Sequence, residues 1–268
     1  MQSDPRLSDL VGEIAAIPVV DTHEHLPIGP SQVNPEADLL REYLIHYFVR
    51  DLISSGLPEP VLARALDASL PVADRYGLLS SHWEFCRLTG YGQALDRAVR
   101  ILYGFPRLDG DTVEGIAAAF RASNRPDKLH RVLRDACGIV TSLLCHPQSL
   151  ESDRSLYTPV FDIGPLVWIT GRPSLDALEA AWNVRIDGFS DLLAAVDGIL
   201  DRVEAMGVRI FKNGLAYARP LLFPETGREE AERAYPGFGP ALHDYLMHHV
   251  LRRIDRDGVV LQIHTGLQ

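Results

Sequence analysis

Two histidines separated by one residue are the part of this sequence best suited to chemistry. In Asp21-Thr22-His23-Glu24-His25 an extended backbone alternates its side chains, so His23 and His25 project to one side about 6–7 Å apart, close enough to grip one ion. Imidazole nitrogen suits Zn²⁺ and its first-row neighbours. The pair follows the apolar run Ile17-Pro18-Val19-Val20, which reads as a buried strand, and a strand's C-terminal end is where barrel enzymes keep their sites. Two histidines on a solvated loop are the competing reading.

Two further residues stand at comparable positions. His264 closes the apolar run of residues 259–264 and is followed by Thr265 and Gly266; taken alone it reads as an ordinary strand histidine, and beside the histidine pair as a further ligand. Lys212 shares one face of its run with Val208 and Ile210. An ammonium on an inner barrel face is costly unless it is paired, neutralised or modified. Carboxylation by CO₂ would make it a carbamate able to ligate or bridge cations, whereas a lysine that snorkels to solvent is the simpler reading. Tyr217 and Arg219 follow, and an arginine there could hold a substrate carboxylate bidentately. His146, Trp168 and Arg172 are placed by the same reasoning at the ends of the second and third strands, where they could line one mouth. Met247, His248 and His249 read as packing and solvated face, and His82 beside Trp83 as structural.

The elements that must carry these residues alternate. Short apolar or β-branched runs at residues 17–21, 138–144, 163–169, 208–212 and 259–264 read as five buried strands. Residues 190–206 and 241–255 carry apolar side chains near a 3.6 period, with Ser190 as N-cap and Gly207 and Gly258 as stops. Strands alternating with helices of this length imply βα units and a parallel sheet. Residues 26–135 hold helical stripes and no strand, which marks a helical insertion after the first strand. Without it about 158 residues remain, enough for about five units of a (βα)8 barrel at about 31 residues each. The expectation is therefore a single incomplete barrel domain over residues 1–268.

Composition narrows the function classes. The 268 residues are 46% hydrophobic and 23% charged, which excludes disorder and collagen. Thirty-six acidic against 26 basic side chains give a formal charge of -10, repelling nucleic acid and anionic lipid at long range. Cys86, Cys137 and Cys145 form no C-x-x-C pair, which points to a reducing compartment, and the amino-terminal residues lack the order of a signal peptide. The expected location is cytoplasmic, with no membrane partner. Dinucleotide and nucleotide phosphate loops and the G-x-S-x-G elbow are absent.

The order H-x-H, Lys, His along successive strands resembles the amidohydrolase superfamily of metal-dependent (βα)8 barrels, with the amidohydrolase-related branch of uronate-isomerase-like and glutamine-synthetase-fused barrels as the nearest likeness. Residues 82–103 (HWEFCRLTGYGQALDRAVRILY), 211–219 (FKNGLAYAR) and 261–266 (LQIHTG) carry that closer match. The resemblance implies a divalent metal, zinc or manganese, as one or two ions held by His23, His25 and His264, with Lys212 at the carbamylated-lysine position. It also implies a strand-six histidine and a strand-eight aspartate, the general acid/base, both expected beyond Gln268. The activity implied is hydrolysis of an amide, ester or lactone of a small acid by metal-activated water, the substrate held by Tyr217, Arg219, Arg172 and His146. Uronate-isomerase-like aldose-ketose isomerisation and a non-catalytic or partner-completed barrel fragment are the alternatives. Expected partners are a small-molecule substrate and, beyond it, a second copy or a fused C-terminal segment.

Overall fold

The computed structural model describes residues 5–44 and 47–265; Gly266 of the third matched stretch lies outside them. Five strands, β1 (Val19–Glu24), β2 (Ile139–Cys145), β3 (Tyr157–Asp162), β4 (Ile210–Asn213) and β5 (Val260–Ile263), form one sheet in the order β1-β2-β3-β4-β5. The pairing is parallel, as βα connections demand, and the sheet curls into a partial (βα)8 barrel. Curling is visible in the side chains. Gln262 of β5 donates to the Thr22 carbonyl of β1 at 2.8 Å, although these strands stand at opposite ends of the sheet order.

The chain divides into two compact units, one of Met1–Val19 and Gly29–Val140, the other of Val20–Ile28 and Thr141–Gln268. In the second, Phe161, Phe211 and Leu261 turn from the strands toward the helices Phe189–Ala205 and Pro240–Asp257. Those helices answer with Leu192, Val196 and Ile199 on one and Leu242, Leu246 and Val250 on the other, all fully buried. Each such side chain contributes roughly 1.5–3 kcal/mol, so the helix-facing side of the sheet is the stable foundation and its inner side is free for polar groups. The edge strands keep Val20, Val260 and Ile263 exposed.

The first unit is helical. Trp83, buried in the helix Val72–Cys86, meets Phe48 and Tyr76 edge-on at 4.7 and 5.7 Å between ring centres. Arg75 of the same helix is buried, and its guanidinium grips both carboxylate oxygens of Asp38, the N-cap of the helix Leu39–Tyr43. Phe85 and Leu88 are exposed, whereas Leu39 and Leu40 on the helix Leu39–Tyr43 and Phe48 and Leu52 on the helix Phe48–Ser54 are buried.

Two expectations are corrected. Residues 163–169 are not the third strand: Gly164–Val167 is a helical turn and the strand is Tyr157–Asp162. A short apolar run does not distinguish a buried helical turn from a strand; here Pro165 occupies the first helical turn, and Asp162 Oδ1 accepts the Gly164 N–H at 2.8 Å to start it. Pro159 inside β3 obscured the true strand. The helix expected from Ser190 begins at Phe189 with Gly188 as N-cap, and Ser190 makes no cap. The stops hold: Gly207 and Gly258 adopt φ of 81° and 64°, which only glycine takes without strain. No helix among the described residues is long and apolar enough to cross a membrane.

Candidate metal centre

Strand register decides which side chains share the inner face. Asp162 pairs with Lys212 and Lys212 with Gln262, so these three form a cross-strand row at the C-terminal ends of β3, β4 and β5. Cys145 pairs with Val160, two residues before Asp162 and on the same face. On β1 the alternation puts Asp21, His23 and His25 together.

The two histidines converge. Their Nε2 atoms lie 3.0 Å apart, with the rings edge to face. His25 Nδ1 lies 2.7 Å from the Cys145 carbonyl oxygen. A carbonyl only accepts, so Nδ1 carries the hydrogen and the lone pair of neutral His25 is on Nε2, directed at His23. His23 Nε2 then supplies the hydrogen between them. Its Nδ1 faces Lys212 Nζ at 3.4 Å, long for a hydrogen bond.

Although both imidazoles are solvent-accessible, the strand ends crowd His23. This desolvation, with the positive neighbours Lys212, His25 and His264 acting in the same direction and Asp21 opposing, lowers its basicity. The neutral form, with a lone pair to offer, is favoured.

These residues fit a divalent cation in part. Two imidazole nitrogens sharing a tetrahedral ion at about 2.05 Å stand ~3.3 Å apart, close to the 3.0 Å observed. The anchored Nδ1–H of His25 is the outer hydrogen bond that metal-bound histidines ordinarily make. Among the described residues, however, no group of three or more His, Cys, Asp or Glu side chains is arranged to hold an ion. His264 extends the β5 ladder through its N–H to the Asn213 carbonyl at 2.9 Å, and its ring packs on Tyr217 with centres 4.4 Å apart. It is near enough to act electrostatically on His23 without completing a cage.

The remaining sequence candidates have other neighbours. Arg219 sits over Phe223 and Trp168 and gives hydrogens to the Pro220 and Leu222 carbonyls. It pairs with buried Asp244 at 2.9 Å without hydrogen-bond alignment, leaving Asp244 Oδ1 unbonded. Arg172 pairs with Asp176 and Glu179 of its own helix, Arg172–Trp182. With β3 ending at Asp162, neither Arg172 nor Trp168 stands at the third strand's end. His146 follows β2, and its Nδ1 accepts the Gln148 N–H.

Three inner-face residues escaped the sequence reading. Asp162 takes the strand-end place assigned to Trp168 and Arg172. Its carboxyl is raised above the usual range by desolvation, against the pull of the Gly164 N–H and Lys212. Cys145 contributes its carbonyl to His25, and its thiol is raised by burial and by Asp162, with Lys212 opposing. Gln262 ties β5 to β1. The only available signal was period-2 alternation counted from a correctly placed strand end.

No family model and no curated protein sequence matches the chain. Solved structures do. A uronate isomerase from Thermotoga maritima aligns with a TM-score of 0.76 at 14% identity, over 98% of this chain and 63% of its own. A second, from Bacillus halodurans, gives 0.65 at 13% identity over 98% and 60%. A candidate metal-dependent hydrolase from Lactobacillus casei gives 0.53 at 15% identity over 96% and 60%. The chain thus spans about three fifths of the length of the structures it matches. At these identities the likeness is one of fold alone, a partial (βα)8 barrel wall shared along nearly the whole chain.

Proposed function

We propose that this chain carries the first metal-binding strands of a metal-dependent hydrolase of the amidohydrolase type, acting on an amide, ester or lactone of a small acid. The observation that supports it is the convergence of His23 and His25 through Nε2, with His25 fixed in the tautomer that offers that nitrogen. A bound divalent cation would supply an acidified water and a counter-charge for the oxyanion.

The protein's own groups prepare that site. The Cys145 carbonyl holds the His25 ring in register, and the low basicity of His23 keeps it neutral. A single hydrogen, on His23 Nε2, separates the two lone pairs. Moving it to Nδ1 requires an acceptor opposite, where Lys212 stands. An ammonium is no acceptor. Addition of CO₂ to the neutral amine, with loss of one proton, forms a carbamate whose oxygens are, and this reading assigns Lys212 that form in the loaded site. His264 would complete the ligand set from β5, with Tyr217 beside it for substrate. Zinc or manganese, as one or two ions, suits such donors.

A second reading is aldose-ketose isomerisation of a uronate. It is favoured by one observation: the two uronate isomerases align with higher TM-scores than the hydrolase. In either reading the whole activity draws on a further segment or a second copy that covers the exposed Val20, Val260 and Ile263.

The deciding experiment is metal analysis of the purified protein, followed by assays on lactones, esters and amides of small acids and on uronates. Hydrolysis lost in His23→Ala supports the first reading, and ketose formation without water consumption supports the second. A metal-free protein whose activity survives His23→Ala refutes both.

A further inference from the structure

Both π-helical turns among the described residues, Val99–Tyr103 and Arg131–Ala136, line one cavity of about 350 Å³ in the helical unit. A π turn gives up regular α-helical bonding for a wider ring. It is rare, occurs mostly as a single turn within an α-helix, and is frequent at functional sites. Two of them on the walls of one cavity indicate that its shape is maintained at a cost.

The lining is two-sided in character. Ile101, Leu102 and Val132 make an apolar wall, and Tyr103, Lys128 and Arg131 bring polar groups to the same space. The Lys128 ammonium binds Asn124 Oδ1 at 2.6 Å and lies 4.4 Å from the centre of the Phe120 ring. It forms no ion pair with any described carboxylate; Glu42 acts on it only from a distance, and burial lowers its basicity. Arg131 uses Nε on Asp127 and one terminal nitrogen on the Ser123 carbonyl, leaving its other terminal nitrogen unbonded. Beside them the Tyr103 hydroxyl is kept protonated, chiefly by burial, and so remains a hydrogen donor. The neighbouring Tyr43 hydroxyl is buried without a well-formed hydrogen bond. The carboxylate in the lining is Asp135, on an exposed residue. Within the lining, Lys128 and Arg131, the latter already paired through Nε with Asp127 outside it, bring unused donors to face the one carboxylate of Asp135.

We propose that this cavity binds a small organic anion, its carboxylate between Lys128 and Arg131 and its apolar body against Ile101, Leu102 and Val132. About 350 Å³ lies within the usual range for small-molecule sites, which pair an apolar lining with a few placed polar groups. All the residues belong to the helical unit, so the site is independent of the His23–His25 pair and of any reading of the reaction.

Benzoate is the probe, titrated calorimetrically into the purified chain, with benzyl alcohol as its uncharged counterpart and inorganic phosphate as a bare anion. Saturable benzoate binding is expected, about tenfold or more tighter than benzyl alcohol and weakened about tenfold or more in Lys128→Met and in Arg131→Gln. Circular dichroism identifies any variant that fails to fold, and Lys128→Gln and Arg131→Lys then take its place. His23→Ala is expected to bind benzoate normally. The proposal is overturned if benzoate shows no saturable binding, if benzyl alcohol binds equally well, if phosphate binds as tightly as benzoate, or if folded Lys128 and Arg131 variants bind like the parent. Loss of benzoate binding in His23→Ala would also overturn it, by locating the anion at the histidine pair.

Discussion

The Nδ1 atom of His25 stands 2.7 Å from the carbonyl oxygen of Cys145, the last residue of β2. The contact joins a side chain after one strand to the main chain of the next, and it settles which nitrogen of the ring can face His23. His25→Ala and His23→Ala are each expected to abolish tight binding of a divalent ion. Both side chains are exposed, so folding stability should stay within roughly 0.5 kcal/mol of the parent. Elemental analysis after gel filtration, beside a thermal melt, checks both halves.

Lys212 is 8% exposed on the inner face and meets the nitrogen of His23 that points away from His25. If it serves as a carbamate, metal uptake by the parent rises with added bicarbonate, whereas Lys212→Met takes up metal weakly and ignores bicarbonate. The stem of methionine retains the packing, so the variant should fold. Metal titrations with and without bicarbonate read this directly, and equal uptake by both proteins under both conditions would remove Lys212 from the site.

Asp38 and Arg75 provide a pH dependence distant from any metal chemistry. Burial alone would raise the Asp38 carboxyl, but hydrogen bonds from Arg75 and the Arg41 N–H outweigh it and hold the group below its ordinary value. A depressed folded-state value means the stabilisation is present above the unfolded-state value, about 4, and is lost as pH falls through the folded one. Asp38→Asn leaves the buried Arg75 guanidinium without its counter-charge and should cost about 2 kcal/mol at pH 7, less than a fully buried pair because Asp38 stays partly open. Urea unfolding at pH 7 and at pH 3 should show the difference between parent and variant shrinking at the lower pH.

Gly92 lies where the helix Gly90–Ala98 passes the end of the preceding one: a Cβ there would stand 2.2 Å from the Cys86 carbonyl oxygen and 2.8 Å from Arg87 Cα. These are backbone atoms and cannot step aside. Gly92→Ala should therefore cost at least ~2 kcal/mol, more than the ~1 kcal/mol expected for Thr89→Ala, which removes the cap on the Gly92 N–H. Denaturant midpoints of the two variants rank the effects.

Legibility followed the range of the interaction. His23 and His25 could be paired from sequence because the period of a strand is local, and β1, β2, β4 and β5 fall within a few residues of their expected places because buried strands show as apolar runs. The run at 163–169 misled because burial in a helical turn and burial in a strand select the same side chains, and Asp162 was lost from view with it. Arg172 and Arg219 looked free because Glu179 and Asp244 lie seven and 25 residues further along the chain.

The sequence by itself determined the alternation of strands and helices, the long helical stretch after the first strand, and the H-x-H at that strand's end, since each rests on periodicity and side-chain type over a few neighbouring residues. Only the tertiary structure decided that Asp162, Lys212 and Gln262 share a row, that a carbonyl of β2 sets the tautomer of His25, and that two π turns line one cavity. Register, main-chain hydrogen bonding to a side chain, and the shape of a void arise between segments distant in the chain. Any residue's carbonyl could have met His25, so residue type left no trace of which one does.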